Sequence, residues 1–196
     1  SIDKLKQTIL ELAVRGKLVD QNSDDKPAQQ LLELCLNAKS MAVQQGKLKN
    51  ARKHAAITDE YAPFKLPEGW LWARLDDLVR VINGRAYKKH EMLSSGTPLL
   101  RVGNLFTSNE WYYSDLELED EKYIDNGDLI YAWSASFGPY IWEGGRAIYH
   151  YHIWKLDLFD AKAISKNFLY LYLKTITEEI KSSGSGIAMI HMTKTK

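Results

Sequence analysis

Apolar residues at three- and four-residue steps open the chain. Ile2, Leu5, Ile9, Leu12 and Ala13 recur at the spacing that lines one face of a helix. Gly16 follows where a left-handed C-terminal cap belongs. A second helical pattern begins near Pro27, a residue suited to the first helical position, with Asp24 and Asp25 close to the positive end of the helix dipole. Leu31, Leu34, Cys35, Ala38, Met41 and Ala42 are its predicted buried face, and Gly46 ends it. Residues 44–57 are polar and basic and are expected to form a linker or a loosely packed strap.

The pattern changes at Tyr61. Pro63-Phe64-Lys65-Leu66-Pro67-Glu68-Gly69-Trp70 predicts an extended segment that then turns. Short stretches rich in aromatic and β-branched residues follow, separated by turn signals. Strands are expected at 70–72, 78–82, 97–105 and 128–133, with one helical turn at 75–79 as an alternative. Gly144-Gly145 between 140–142 and 147–156 predicts a hairpin. Helical spacing returns over 165–180 through Phe168, Leu169, Tyr172 and Ile176. Residues 182–186 read as a flexible loop and 186–192 as a short apolar segment. The expected class is α+β: an N-terminal helical segment with its linker over 1–60, then a mixed or antiparallel β-sheet domain with a late helix over 61–196.

Composition narrows the function. At 196 residues, 45% hydrophobic and 26% charged, the chain suits one globular domain with an appendage. No apolar run is long enough for a membrane span, and Asp3, Lys4 and Lys6 argue against a signal peptide. A single cysteine, Cys35, excludes an internal disulfide and a multi-cysteine zinc site. A cytoplasmic location is the expectation, and Ser1 in place of methionine suggests a trimmed chain. The net charge of +1 hides a separation of signs. Residues 80–106 hold Arg80, Arg85, Lys88, Lys89 and Arg101 against Glu91 alone, whereas residues 110–128 hold eight acids against Lys122. A nucleic-acid binder needs a local positive face and need not be basic overall.

No catalytic signature stands out. The chain has no Walker-type phosphate loop, HExxH, GxSxG or CxxC. It also lacks the glycine-rich cofactor loop and the Asn/Asp-Pro-Pro-aromatic motif of a DNA methyltransferase. The acids at 115–128 could serve a magnesium nuclease, but alternation such as Glu117-Leu118-Glu119 equally describes a solvated strand face. His150 and His152 sit at a spacing that shares one face of a strand and could bind metal, yet no third ligand is evident. Neither catalytic nor metal-binding residues are expected.

Three segments suit DNA. The loop 82–90 combines Gly84 with Arg85, Tyr87, Lys88 and Lys89. Arginine can bond guanine bidentately, lysine holds phosphate, and tyrosine stacks or contacts phosphate. A solvated basic turn is the alternative. The segment 132–138 offers Ser134 and Ser136 beside Gly138, the alternative being an ordinary strand end with a buried Trp133. The segment 182–196 offers Ser185, His191 and Lys194, the alternative being a plain linker. With six Trp and eleven Tyr, a carbohydrate-binding or protein-interaction module is a competing class, although neutral sugars do not call for cations.

Residues 5–19, Lys26-Pro27-Ala28 with Leu31-Leu32, and above all Phe64-Lys65-Leu66-Pro67-Glu68-Gly69-Trp70-Leu71-Trp72 resemble specificity subunits of type I restriction-modification systems. Gly127-Asp128-Leu129-Ile130, Trp133-Ser134-Ala135-Ser136-Phe137-Gly138, His150 to Leu156, and Gly184-Ser185-Gly186 to Lys194 extend the likeness over nearly the whole chain. The resemblance implies a non-catalytic subunit with a target-recognition domain that reads one half of a split double-stranded DNA sequence. It implies partners as well: methyltransferase subunits using S-adenosylmethionine, and a motor-nuclease subunit using ATP and magnesium. No cofactor is implied for this chain. It stops before the Pro-Pro-Leu segment and spacer helix expected next, so one recognition domain is anticipated.

Overall fold

The computed structural model describes residues 1–49, 57, 62–134 and 136–182. Two helices lead, α1 (Ile2–Val14) and α2 (Ala28–Gln44), followed by a short turn of helix, α3 (Leu75–Leu78). The strands are β1 (Val79–Asn83), β2 (Thr97–Leu100), β3 (Tyr112–Ser114), β4 (Tyr123–Ile124), β5 (Leu129–Ser134), β6 (Ser136–Ile141), β7 (Ala147–Tyr149) and β8 (Ile153–Leu158). A helix α4 (Val102–Phe106) interrupts them and α5 (Lys166–Ser182) closes the described chain. The α+β class with leading helices, mixed sheets and a late helix is as the pattern predicts. By contacts the chain divides into two compact units, Ser1–Arg80 with Leu158–Thr175, and Val81–Asp157 with the residues from Ile176 onward.

In the first unit the extended segment after residue 62 anchors the helices. Gly16 takes a φ of +66°, and a Cβ there would press on Pro67 Cγ and Trp70 Cζ2, each 2.8 Å away. Trp70 donates its indole N–H to Gln21 Oε1 at 2.7 Å and meets Phe168 edge-on. Ala28 N–H is tied to Gly69 O at 3.0 Å. This explains why residues 70–72 form no strand: Trp70 serves as a wedge under the α1–α2 connection. On α2 the buried positions are Cys35 and Lys39, whereas Leu34 and Met41 are exposed. Lys39 is only 5% exposed and its ammonium reaches Asp77 Oδ1 at 2.7 Å and Asp76 Oδ2 at 3.4 Å on α3. The predicted α1 stripe is also open: Ile2 is 73% and Leu5 60% exposed, and only Val14 is buried.

The second unit holds two four-stranded sheets, ordered β1-β8-β5-β6 and β3-β2-β7-β4. In the second sheet β2 runs parallel to β7 with Leu99 beside Ile148 and Leu100 beside Tyr149, while β4 pairs antiparallel with β7. Successive side chains alternate in face. Leu100, Ile124, Ala147 and Tyr149 thus pack with Ile130 and Ile153 from the first sheet into one core. Leu99, Tyr123 and Ile148 form a second core on the opposite face. All three residues of β7 are buried, as a strand covered on both faces requires.

Two expectations are overturned. Gly144-Gly145 joins no hairpin, because β6 pairs with β5 in one sheet and β7 lies inside the other. The turn is instead fixed from outside: Asn126 Oδ1 accepts from Gly145 N–H at 2.9 Å, and Trp142 Nε1–H donates to Gly145 O at 2.6 Å. The strand expected over 97–105 stops at Leu100. Asn104 Oδ1 accepts the Arg101 N–H at 3.0 Å and starts α4 instead. Among the described residues no helix is long and apolar enough to cross a membrane.

Candidate nucleic-acid interface

One end of the second unit gathers the chain after β1, the tip of β5 and β6, and the turn between β7 and β8. Glycine allows the first of these. A Cβ on Gly84 would run into the carbonyl oxygens of Tyr149 and His150, so only a hydrogen fits where the backbones cross. Past that crossing, Arg85 N–H donates to Tyr149 O at 3.1 Å and Tyr151 N–H donates to Arg85 O at 3.1 Å. Trp133 ties the second segment to the same turn: its backbone N–H donates to His152 O and its indole N–H to Tyr151 O, both at 3.0 Å. The turn after β7 is thus hydrogen-bonded to each of the other two segments.

Within the first segment the cations differ in situation. Arg85 is clamped by Glu91, with Nη2 to Oε1 at 2.6 Å and Nη1 to Oε2 at 3.1 Å, and its guanidinium lies 5.0 Å from the centre of the Tyr87 ring. The Arg85 bonds, with the Lys88 backbone N–H at 2.8 Å, hold the Glu91 carboxyl down to about 2. Tyr87 packs on the Leu99–Tyr123–Ile148 core, where burial pushes its phenol up to about 12. Its hydroxyl has no hydrogen-bond partner among the described residues. Lys88 and Lys89, in contrast, are exposed, as is the neighbouring His90. The segment is therefore a braced loop in which Tyr87 faces the core, Arg85 is partly exposed and paired with Glu91, and the two lysines are exposed. A base contact through the Nη1–Nη2 edge of Arg85 requires exchange of its carboxylate partner, whereas its remaining N–H donors are not taken by Glu91.

At the second segment Ser134 pairs with Ser136 in register across the tip, Ser134 buried and Ser136 exposed. Ser185, His191 and Lys194 lie outside the described residues. The third segment is the one sequence reasoning missed. His150, Tyr151 and His152 were expected on a strand, but they form the turn after β7, because Ile153 N–H folds back to His150 O at 2.9 Å. Their rings cluster, with centroids 4.4 Å apart for His150–Tyr151 and 3.9 Å for Tyr151–His152. Burial, then the nearby His152 and Arg101, lower the His150 imidazole to about 4, so it is neutral at physiological pH. The signal was present as a run of three rings, but strand alternation separates them and only a turn brings them together.

The acidic stretch is occupied with other work. Arg146 spans Asp120 and Asp125, each at 3.0 Å, over the Tyr123 ring, and Lys155 pairs with Asp128 at 2.8 Å. Among the described residues no group of three or more His, Cys, Asp or Glu is placed to hold a metal ion.

A two-sheet domain with a braced polar end, entered through a Trp-wedged helical segment, has the architecture of a type I DNA-specificity module. Residues 67–196 match the family described as Type I restriction modification DNA specificity domain, and the chain belongs to that family. It is 47% identical over 105 residues to the type I restriction enzyme EcoAI specificity subunit of Escherichia coli, covering 54% of this chain and 18% of that one. It is 46% identical over 79 residues to the EcoEI specificity subunit of the same organism, covering 40% and 13%. Two solved chains share the fold. The HsdS subunit from Thermoanaerobacter tengcongensis has a TM-score of 0.51 at 15% identity, covering 98% of this chain and 42% of that chain. A chain from work on complex assembly and conformational transition of the type I R-M system has 0.54 at 17%, covering 98% and 43%. The chain thus spans less than half the length of these solved chains, and the matched stretches less than a fifth of the Escherichia coli subunits.

Proposed function

We propose that this chain binds double-stranded DNA sequence-specifically and reads one half of a bipartite target within a type I restriction-modification complex. The observation that carries the proposal is the convergence of three hydrogen-bonded segments at one end of the sheet domain, with Lys88 and Lys89 exposed beside them. Positive side chains on a braced loop suit phosphate contacts, which fix register while other groups read bases. Ser136, and Ser134 behind it, supply hydroxyls for backbone or base contacts. Arg85 reads a guanine through its Nη1–Nη2 edge by trading Glu91 for the base, or through the donors that Glu91 leaves, and Tyr87 supports the loop from the core. Ser185, His191 and Lys194 complete the proposed set. The chain itself does no catalysis: it directs methyltransferase subunits that use S-adenosylmethionine and a motor-nuclease subunit that uses ATP and magnesium. The competing class of sugar-binding module is less favoured, since Tyr131, Trp133 and Trp154 stack on one another within the sheet domain instead of forming an open platform. In the assembled methyltransferase complex, Lys88→Ala with Lys89→Ala should weaken binding to all sequences alike and reduce the slope of log affinity on log salt by about two. An unchanged slope removes this loop from the interface.

A further inference from the structure

The turn between β7 and β8 is held more firmly than its exposure suggests. Both backbone groups of Tyr151 are taken by the scaffold: its N–H by Arg85 O at 3.1 Å, its carbonyl by the Trp133 indole at 3.0 Å. His150 N–H donates to Leu100 O at 3.0 Å, and His150 O accepts from Ile153 N–H at 2.9 Å. Both main-chain groups of Tyr151 thus have a protein partner, so the turn is shaped by the scaffold. The side chain is the part that faces outward. Tyr151 is 39% exposed, and among the described residues its hydroxyl has no hydrogen-bond partner. Both imidazoles pack against its ring, and with His150 and His152 themselves 4.9 Å apart the three rings form a triangular cluster.

The chemistry of this ledge differs from that of the lysine loop beside it. A phenol hydroxyl is a neutral donor and acceptor on a stiff arm with few rotamers to lose. It gains little from a phosphate compared with a lysine or arginine, whose charge is favoured there. It is suited to the donors and acceptors on base edges, which are distinct for each base pair in the major groove. The held backbone fixes where the side chain leaves the turn, and ring contacts with His150, His152 and Trp133 restrict its rotamers, as discrimination between bases requires.

We propose that Tyr151, packed against His150 and His152, is a specificity-determining residue whose hydroxyl contacts a base edge of the half-site. This rests on the DNA-binding role proposed for the domain. The turn reads, whereas Lys88 and Lys89 hold the backbone. The test uses the intact specificity subunit assembled with its methyltransferase partner and a set of duplexes carrying every single substitution in the half-site. Tyr151→Phe keeps the ring packing and removes only the hydroxyl. It should lower discrimination at one base pair by roughly tenfold and leave the salt slope unchanged, whereas Lys88→Ala with Lys89→Ala should change the slope and leave discrimination intact. Discrimination retained at every position in Tyr151→Phe overturns the assignment, whatever Tyr151→Ala does. Absence of sequence preference in the unmodified complex instead overturns the DNA-reading role on which it rests.

Discussion

Gly84 carries the crossing on which the proposed interface is built. Its missing Cβ lets the chain pass against the carbonyls of Tyr149 and His150. Gly84→Ala forces backbone apart at a buried hydrogen-bonded junction and should cost about 2–4 kcal/mol of unfolding free energy, measurable by urea titration. His150 gives a pH signature. Its native pKa of about 4 lies below the ordinary 6.5, so the unfolded chain takes the proton more readily. The contribution is complete above pH 6.5 and is lost as the pH falls through that window toward 4, by about 2 kcal/mol for a half-buried imidazole. His150→Gln should flatten this part of the stability profile, and a slope unchanged from the parent would contradict it. Neither residue could be weighted from sequence: Gly84 reads as one more loop glycine, and His150 as one face of a strand.

At the scale of elements, α2 and α3 are joined by charge where the pattern anticipated apolar packing. Asp77→Ala leaves the nearly buried Lys39 ammonium with only the longer 3.4 Å contact to Asp76. It should destabilise by about 2–3 kcal/mol, seen as a lower midpoint in thermal or urea unfolding. Lys39→Met, which removes the charge and keeps the stem, should cost less. The elements that sequence located well were those whose signal is local: the amphipathic periods of α1, α2 and α5, the helical turn at 75–79, and β5 after its Asn126-Gly127 turn. What stayed hidden depended on distant partners. The 97–105 run has one period but two fates, because Asn104 captures the Arg101 N–H and starts a helix. β7 and β8 read as a single strand, yet the tight turn at 150–152 sends them to different sheets. The α1 stripe was legible as an apolar face, and Ile2 and Leu5 on it stand open. Amphipathic spacing reports that a face is apolar, and says nothing of what covers it.

For the whole molecule, the charge pattern along the sequence found the lysine-bearing loop but not its internal economy. Arg85 and Lys88 read alike as cations, and only the fold shows that Glu91 holds one while the other is exposed. The same fold engages Asp120, Asp125 and Asp128 with Arg146 and Lys155, so these acids of the run serve as ion-pair partners. The central claim is that this domain chooses one half of a split DNA target. It is tested most directly by exchanging residues 67–196 into a related specificity subunit in cells and mapping every modified base in the genome. The account predicts that one half of the methylated sequence changes to a new motif while the other half and the catalytic output stay the same. Genome-wide methylation at the original, unaltered sequence would contradict it.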